Sequence, residues 1–389
     1  MVQLAAYEGG TKDDRAAMAQ LLQLAAARFG NLNAWALVAF IRCAAAFKGL
    51  LQPQQLADWQ DAVQSGGAVP EMTEQGISNV LLALGALADA DEQLAQQIDK
   101  KLAYPFNIYY DGQLLDGLLD SVVAQQPPVR NVAHIVGALG TLRHVPQPAT
   151  WQRLVSVVEN QEVHAVQAGA FMVGCAWLGR NPGPKAIHAC LESVERDGGS
   201  QGAANVAWAL AVLQACDLGT WSRLVAHVEG AVADVPAVQL YQWAAAYQLL
   251  RLQHATHIPC QPDLLRRSLA AQAADLEKMQ QRGSATRFKW VLAAAVQQLA
   301  AGQEVQPAYI AADLNGQPLV LVDVALPQLR IAVEADGPTH FLRGHNSRVA
   351  GQLQLEGPKQ LTAGLVQFLR EHTGLLAAMR ERGAAAGGA

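Results

Sequence analysis

Apolar residues recur at intervals of three and four from about residue 31 to residue 281. This spacing places apolar side chains on one face of an α-helix, as Val206, Leu210 and Leu213 illustrate, and the abundant Ala, Leu, Gln, Glu and Arg favour helix. Clusters of Pro and Gly interrupt the pattern. The region therefore predicts a series of helices of about 12–16 residues joined by short links.

Two sequence patterns alternate along this region. The segment TWQRLV at 150–155 recurs as TWSRLV at 220–225, and a related segment begins near residue 185, halfway between them. A second pattern, best seen at 205–210, recurs about 35 residues later at 242–245. Two alternating helix types with a period near 35 predict stacked helix-turn-helix repeats, which would form an α-solenoid of five to seven units.

Small and large side chains have separate predicted roles in these repeats. The frequent Ala and Gly residues would let the backbones of neighbouring helices approach closely. Trp35, Trp208 and Trp243 accompany the second pattern, and we expect them to fill the seams between repeats.

The pattern changes after residue 283. Residues 284–301 predict one more amphipathic helix, and two strands follow, at 318–325 and from residue 329 to residue 335. Asn315-Gly316, just before the first strand, is a strong hairpin signal. We therefore predict a helical repeat domain at 1–281, a small α/β domain at 282–380 and a flexible tail at 381–389, a mainly α fold overall.

Composition narrows the possible functions. The chain is 51% hydrophobic, which excludes a mostly disordered protein, and its net charge of −5 excludes a globally basic coat for nucleic acid. Residues 281–389 contain ten Lys or Arg and eight Asp or Glu, so they carry +2 and residues 1–280 carry −7. No apolar stretch reaches the ~18 residues that a membrane span requires.

The first fourteen residues include Glu8, Asp13 and Asp14, and they fit neither a secretory signal nor a transit peptide. This predicts either a cytosolic protein or a sequence that starts downstream of the natural N-terminus.

The sharpest chemical motif lies in the C-terminal domain, in the stretch EADGPTHF at 334–341. Glu334 and Asp336 are two residues apart on a predicted strand and would share a face, with Asp323 in cross-strand reach. Three carboxylates at one point could hold Mg²⁺ or Mn²⁺, and two acids with a Lys could cleave a phosphodiester. Alternatively, Glu334 and Asp336 fix a turn and pair with Arg343 or Arg348.

The stretches VDVALP at 322–327 and IAVEADGPTHF at 331–341 resemble the RAP domain, a C-terminal module named for an RNA-binding domain abundant in apicomplexan parasites. The resemblance covers roughly residues 284–375. The helical repeats resemble the regions that precede RAP domains in algal proteins. This resemblance implies a factor of chloroplast or mitochondrial gene expression that binds single-stranded organellar RNA or rRNA and acts in RNA processing, stability, splicing or translation. It implies no required cofactor.

The resemblance also assigns roles to residues. The RAP fold is similar to the restriction-endonuclease-like core, and Asp323, Glu334 and Asp336 stand where that superfamily keeps its acids. The superfamily's Glu-x-Lys motif ends here in Asp336, which favours binding over cleavage. The structural motif would consist of Gly337, Pro338 and Phe341, and the contacts to RNA would come from His340, Arg343, Arg348 and Lys359.

Three hypotheses follow for function. In the first, the repeats and the C-terminal domain both bind RNA. Because phosphate binding needs a cationic surface and residues 1–280 carry −7, one face must then concentrate the arginines. The arginines concerned are Arg42, Arg130, Arg153, Arg180, Arg223 and Arg251. In the second, the repeats bind a protein partner and only the C-terminal domain contacts RNA. In the third, the protein is a metal-dependent nuclease whose activity is lost on Asp336→Ala.

Overall fold

The computed structural model describes residues 12–47, 50–97, 111–229, 232–254, 258–283, 287–300, 302–312, 318–329 and 331–333. These residues are mainly helical, with fourteen α-helices and a small three-stranded antiparallel sheet near the C-terminus. They divide into two compact units: the described residues up to Ala95 and from 111 to Leu264 form the first, and Gln96, Gln97 and the described residues from Leu265 onward form the second. The predicted domain bounds stay a prediction.

The helices are α1 Lys12–Ala26, α2 Ala34–Ala46, α3 Pro53–Ser65, α4 Glu74–Gln97, α5 Gly112–Ala124, α6 Val129–Leu142, α7 Pro148–Asn160, α8 Ala165–Trp177, α9 Pro184–Asp197, α10 Ser200–Val212, α11 Leu218–Glu229, α12 Ala237–His254, α13 Pro262–Gly283 and α14 Arg287–Leu299. Most have the expected length. Helices α4, α12 and α13 are longer, with 24, 18 and 22 residues. No described helix combines the length and the apolar character that crossing a bilayer requires.

The even-numbered helices of the first unit pack against one another in chain order. Gly76 of α4 faces Val38 of α2, and Gly85 of α4 faces Ala138 of α6. Helix α6 then packs on α8, α8 on α10, and α10 on α12, while α5, α7 and α9 contact each other in the same way. The two alternating sequence patterns coincide with these helices, because the Thr-Trp segments lie on α7 and α11 and the second pattern lies on α8, α10 and α12.

Glycines permit the closest approaches between even-numbered helices. A Cβ atom on Gly174 of α8 would lie 2.5 Å from the carbonyl oxygen of Val136 on α6. A Cβ atom on Gly202 of α10 would lie 2.8 Å from the carbonyl oxygen of Ala165 on α8. Real Cβ atoms do not approach backbone oxygens this closely, so only glycine fits at either position. The predicted role of small residues is confirmed at these two contacts.

The tryptophans of the helical unit differ in how deeply they are buried. Trp243 is buried and meets the ring of the buried Trp221 edge to face, with the ring centroids 5.3 Å apart. Trp221 Nε1 donates a hydrogen bond to the carbonyl of Pro259 at 2.6 Å. Trp208 is half-buried, and Trp35 is 79% exposed, so the prediction that Trp35 fills a seam is wrong. Trp35 is the second residue of α2 and lies on the solvent side of that helix.

Two even-numbered helices receive an N-cap from the end of the helix that follows them. Gln161, just after α7, accepts a hydrogen bond from the backbone amide of Val129 at the start of α6, at 3.0 Å. Asp197, the last residue of α9, accepts one from the amide of Ala165 at the start of α8, also at 3.0 Å. These bonds satisfy amides that a helix cannot satisfy itself.

Asp197 should make the stability of the helical unit depend on pH. Its hydrogen bonds from Arg196 first, and then from the amide of Ala165, lower the pKa of this carboxyl from 3.8 to about 2. Because the folded pKa is the lower one, the stabilisation is present above about pH 4 and is lost as the pH falls toward 2. We expect Asp197→Ala, which removes the acceptor for the Ala165 amide, to lower the melting temperature at pH 7 by roughly 2–4 °C. The difference from the wild type should shrink below pH 4.

Melting curves followed by circular dichroism across this pH range measure the effect. Glu192→Ala is the matched control, because Glu192 is an exposed acid on the same helix and forms its ion pair with His188, one turn away on that helix. A difference between Asp197→Ala and the wild type that persists unchanged at pH 2 would contradict the assignment of the cap.

The second unit holds the sheet. Strands β1 Gln306–Ala312, β2 Pro318–Leu326 and β3 Ile331–Val333 pair in the order β1-β2-β3, all antiparallel. The apolar core between α14 and the sheet includes Leu292, Val296, Val324 and Leu326. The predicted helix and the predicted strand at 318–325 are confirmed as α14 and β2, with bounds shifted by a few residues. Strand β1 is an element that the sequence analysis did not predict.

Candidate functional site

The even-numbered helices share one solvent-facing surface. In each of α2, α4, α6, α8, α10 and α12, the second, sixth, ninth and thirteenth residues are exposed or half-buried, and we call these residues the even-helix stripe. The stripe consists of Trp35, Ala39, Arg42 and Ala46; Gln75, Asn79, Leu82 and Ala86; Arg130, His134, Gly137 and Thr141; Val166, Ala170, Val173 and Trp177; Gln201, Asn205, Trp208 and Val212; and Val238, Gln242, Ala245 and Leu249. The spacing is that of one helix face.

The stripe has an unusual charge distribution. It contains no Asp or Glu, although residues 1–280 carry −7, because most acids of this region lie on the odd-numbered helices, at the end of α4 or in links. Its formal charges come from Arg42 and Arg130, on α2 and α6. His134 on α6 is its other ionisable residue, and burial together with the nearby Arg130 guanidinium lowers the pKa of His134. The stripe residues of α8, α10 and α12 are all uncharged.

The six arginines that RNA binding by the repeats requires do not lie on one face. Arg42 and Arg130 belong to the stripe. Arg251 on α12 lies over the ring of Tyr247, 5.9 Å from its centroid. Arg223 on α11 forms two hydrogen bonds with Glu195, at 2.7 and 2.8 Å. The remaining two are Arg153, which lies on α7, and Arg180, which lies in the link after α8. The six arginines are therefore spread over even-numbered helices, odd-numbered helices and a link, and they do not meet the condition that RNA binding by the repeats requires.

Amide side chains form a repeated arrangement on the stripe. On α4, Gln75 Nε2 donates to Asn79 Oδ1 at 3.3 Å, and on α10, Gln201 Nε2 donates to Asn205 Oδ1 at 2.9 Å. Gln242 of α12 also donates to Asn205 Oδ1, at 2.8 Å. The Oδ1 atoms of both asparagines are thus occupied, whereas their Nδ2 groups have no hydrogen-bond partner among the described residues.

The partner helices fix the glutamines of these pairs. Arg130 of α6 donates to Gln75 Oε1 at 3.2 Å, and Gln239 of α12 donates to Gln201 Oε1 at 3.0 Å. Asn205 begins the second sequence pattern at 205–210, and Asn79 occupies the same position on α4. The Gln-x-x-x-Asn spacing at 75–79 and 201–205 was the signal that could have identified the pairs, because residues four apart adjoin on a helix.

Large apolar side chains on the stripe are open to solvent. Val166 and Val238 occupy the second positions of α8 and α12 and are 76% and 63% exposed. Trp177, at the thirteenth position of α8, is 49% exposed. With Trp35 on α2, these residues give the stripe apolar contact points along its length. They are the large apolar side chains on this face that a binding partner could cover.

Of the predicted C-terminal site, the structure describes Asp323. This residue is half-buried on β2, and it alternates with Val324, which faces the core beneath α14. The strand pairing brings Val324 opposite Val333, the last residue that the structure describes. The other predicted residues lie outside the described residues, so the three-acid metal site and the nuclease hypothesis stay predictions. These residues are Glu334, Asp336, Gly337, Pro338, His340, Phe341, Arg343, Arg348 and Lys359.

The backbone opposite Asp323 is irregular. Pro307 pairs with Val324 and Tyr309 with Val322, so Ala308 takes the place across from Asp323. Ala308 has a φ of 50°, in the left-handed region that costs a non-glycine residue about 1 kcal/mol or more. Its carbonyl accepts a hydrogen bond from Gln280 of α13 at 2.8 Å, which helps to hold this conformation.

Comparison with known proteins adds no assignment: neither a protein-family model nor a curated protein matches this chain. Within the described part of the chain, no three His, Cys, Asp or Glu side chains come together as a metal-binding group.

Proposed function

We propose that this protein is an RNA-binding factor of chloroplast or mitochondrial gene expression in which the helical region docks a protein partner and the C-terminal domain contacts RNA. In such a factor, the helical region would select where the protein acts and the C-terminal domain would engage the transcript. RNA processing, stability, splicing or translation would then depend on both contacts.

The observation that carries this proposal is the charge of the even-helix stripe. A strand of RNA brings one phosphate with each nucleotide, and binding it requires several cations along its path. Two arginines on α2 and α6, and no charged residue on the stripe of α8, α10 and α12, supply few such contacts. Depletion of charge combined with exposed tryptophan is instead characteristic of the centre of a protein interface.

The assignment of RNA to the C-terminal domain rests on sequence. Residues 281–389 carry +2 whereas residues 1–280 carry −7, and the stretch at 331–341 resembles the RAP domain. The residues proposed to contact RNA are His340, Arg343, Arg348 and Lys359. We extend the proposal to the architecture: the row of even-numbered helices would be one layer of an α-solenoid, and the three-stranded sheet would belong to a restriction-endonuclease-like core.

The dependence of RNA affinity on salt tests this division of labour in the full chain. Neutralising Arg343, Arg348 and Lys359 together with alanine should lower the slope of log affinity against log salt by about 2, because each phosphate contact on a single strand contributes about 0.7. Neutralising Arg42 and Arg130 should leave the slope unchanged. Anisotropy of a labelled single-stranded RNA measures both. A slope that responds to Arg42 and Arg130 alone would assign RNA to the repeats and overturn the proposal.

A further inference from the structure

We infer that the even-helix stripe binds an extended peptide segment of a partner protein, with carboxylate side chains of that segment over α2–α6 and aliphatic side chains over α8–α12. This inference rests on the proposed docking function, and it adds the chemistry of the partner.

The charges of the stripe determine which side chains of the peptide lie over each half. Arg42 and Arg130 lie on the α2–α6 half of the stripe, and no acid of the stripe opposes them. Carboxylates brought to this half would meet two guanidinium groups, whereas lysines or arginines would meet like charges. The α8–α12 half offers no ionisable residue, so a charge buried there would lose its hydration without gaining a partner.

The apolar contact points of the α8–α12 half define what it can hold. Val166, Trp177 and Val238 are exposed on it, and Trp208 is half-buried between them. Covering these side chains with aliphatic groups removes apolar surface from water, which favours binding. The same surface gives an RNA strand stacking partners but no cation for its phosphates.

The amides favour an extended segment over a helix. The Nδ2 groups of Asn79 and Asn205 have no partner among the described residues, and each carries two donors. An extended peptide presents unpaired backbone carbonyls to such donors, whereas a helix has already paired its own. Because packed helices lie 8–10 Å apart and an extended chain rises about 3.3 Å per residue, roughly three peptide residues correspond to one helix of the stripe.

This spacing specifies a probe. In one synthetic peptide, three Glu-Gln-Ser triplets precede three Leu-Gln-Ser triplets, and a second peptide has the two blocks in reverse order, since the direction of the bound chain is open. Matched peptides carry Lys in place of Glu. Labelled peptides are titrated with the full chain, and affinity is followed by fluorescence anisotropy.

We expect one of the two Glu peptides to bind and its Lys counterpart to bind at least about tenfold more weakly. Arg42→Glu/Arg130→Glu should reverse this preference. Val166→Asp/Val238→Asp should weaken binding of the Glu peptide by about tenfold, and both valines are exposed enough for the variant to fold. Arg153→Glu, a charge reversal on α7 outside the stripe, should change nothing, and circular dichroism confirms that each variant is folded.

The outcomes separate the two claims. Failure of both Glu peptides to bind, or binding that ignores the exchange of Glu for Lys, overturns the inference about peptide chemistry. If Val166→Asp/Val238→Asp still weakens a peptide in the latter case, the docking function stands. If polyuridylate displaces the peptide and Arg42→Glu/Arg130→Glu abolishes the binding of both, the stripe binds RNA, and the proposed function falls with the inference.

Discussion

Replacing Gly174 by alanine is expected to destabilise the helical unit by about 3 kcal/mol. The added methyl group would lie 2.5 Å from the carbonyl oxygen of Val136 and 2.6 Å from its carbonyl carbon. Both atoms belong to the backbone of α6 at the buried Val136, so no side chain can rotate away, and α6 and α8 must separate. Urea denaturation followed by circular dichroism should show a lower midpoint for this variant.

Gly117→Ala is the matched control for this substitution. Gly117 lies within α5, is exposed, and has no atom within 4 Å of the place that a Cβ would occupy. Alanine there should stabilise the protein by up to about 1 kcal/mol, because glycine is the poorer helix former. Equal midpoints for Gly174→Ala and the wild type would show that the close approach of α6 and α8 is absent in solution.

Truncation of Trp221 to alanine should cost about 4 kcal/mol, the largest effect we expect from a single side chain. Trp221 is fully buried, and its removal leaves a cavity beside Trp243. It also removes the hydrogen-bond donor to the carbonyl of Pro259. The free energy of unfolding in urea measures the loss.

Two variants separate packing from simple loss of a tryptophan. Trp221→Phe keeps an aromatic ring against Trp243 and should recover a substantial part of the stability, although it leaves Pro259 without its donor. Trp35→Ala removes the same side chain from an exposed position and should change stability by no more than about 0.5 kcal/mol. A cost for Trp35→Ala that matches the cost for Trp221→Ala would contradict the buried and exposed assignments.

The periodic features of the sequence carried most of the information about the fold. The apolar spacing predicted the helices. The alternation of two patterns predicted two kinds of helix, because helices that pack against equivalent neighbours bury similar side chains. The run of valines around Val322 predicted β2, because β-branched residues favour strands. Strand β1 has no such run. It contains Pro307 and a left-handed Ala308, and its pairing with β2 and a hydrogen bond from Gln280 hold it in place.

The candidate site was harder to predict than the fold. The position of Trp35 depends on which side of α2 is covered, and a tryptophan suits either side, so the residue type alone does not reveal that Trp35 is exposed. The absence of acids from the stripe depends on which residues of the even-numbered helices face solvent, and this is known only once the helices are packed against one another. The pairs Gln75–Asn79 and Gln201–Asn205 occupy the second and sixth positions of their helices, and this shared position is known only once the helix starts are known.

The caps that Gln161 and Asp197 provide couple α6 and α8 to the helices that follow them, and this coupling acts in one direction along the chain. The first amides of α6 and α8 are satisfied by residues that come later in the chain, so removal of α7 with its following link, or of α9, leaves an open amide on the preceding even-numbered helix. Removal of α6, by contrast, leaves the cap that Asp197 provides to α8 intact. Unfolding of the array should therefore have a direction: between α6 and α9, the nearest-neighbour coupling resists fraying from the N-terminal side and transmits fraying from the C-terminal side.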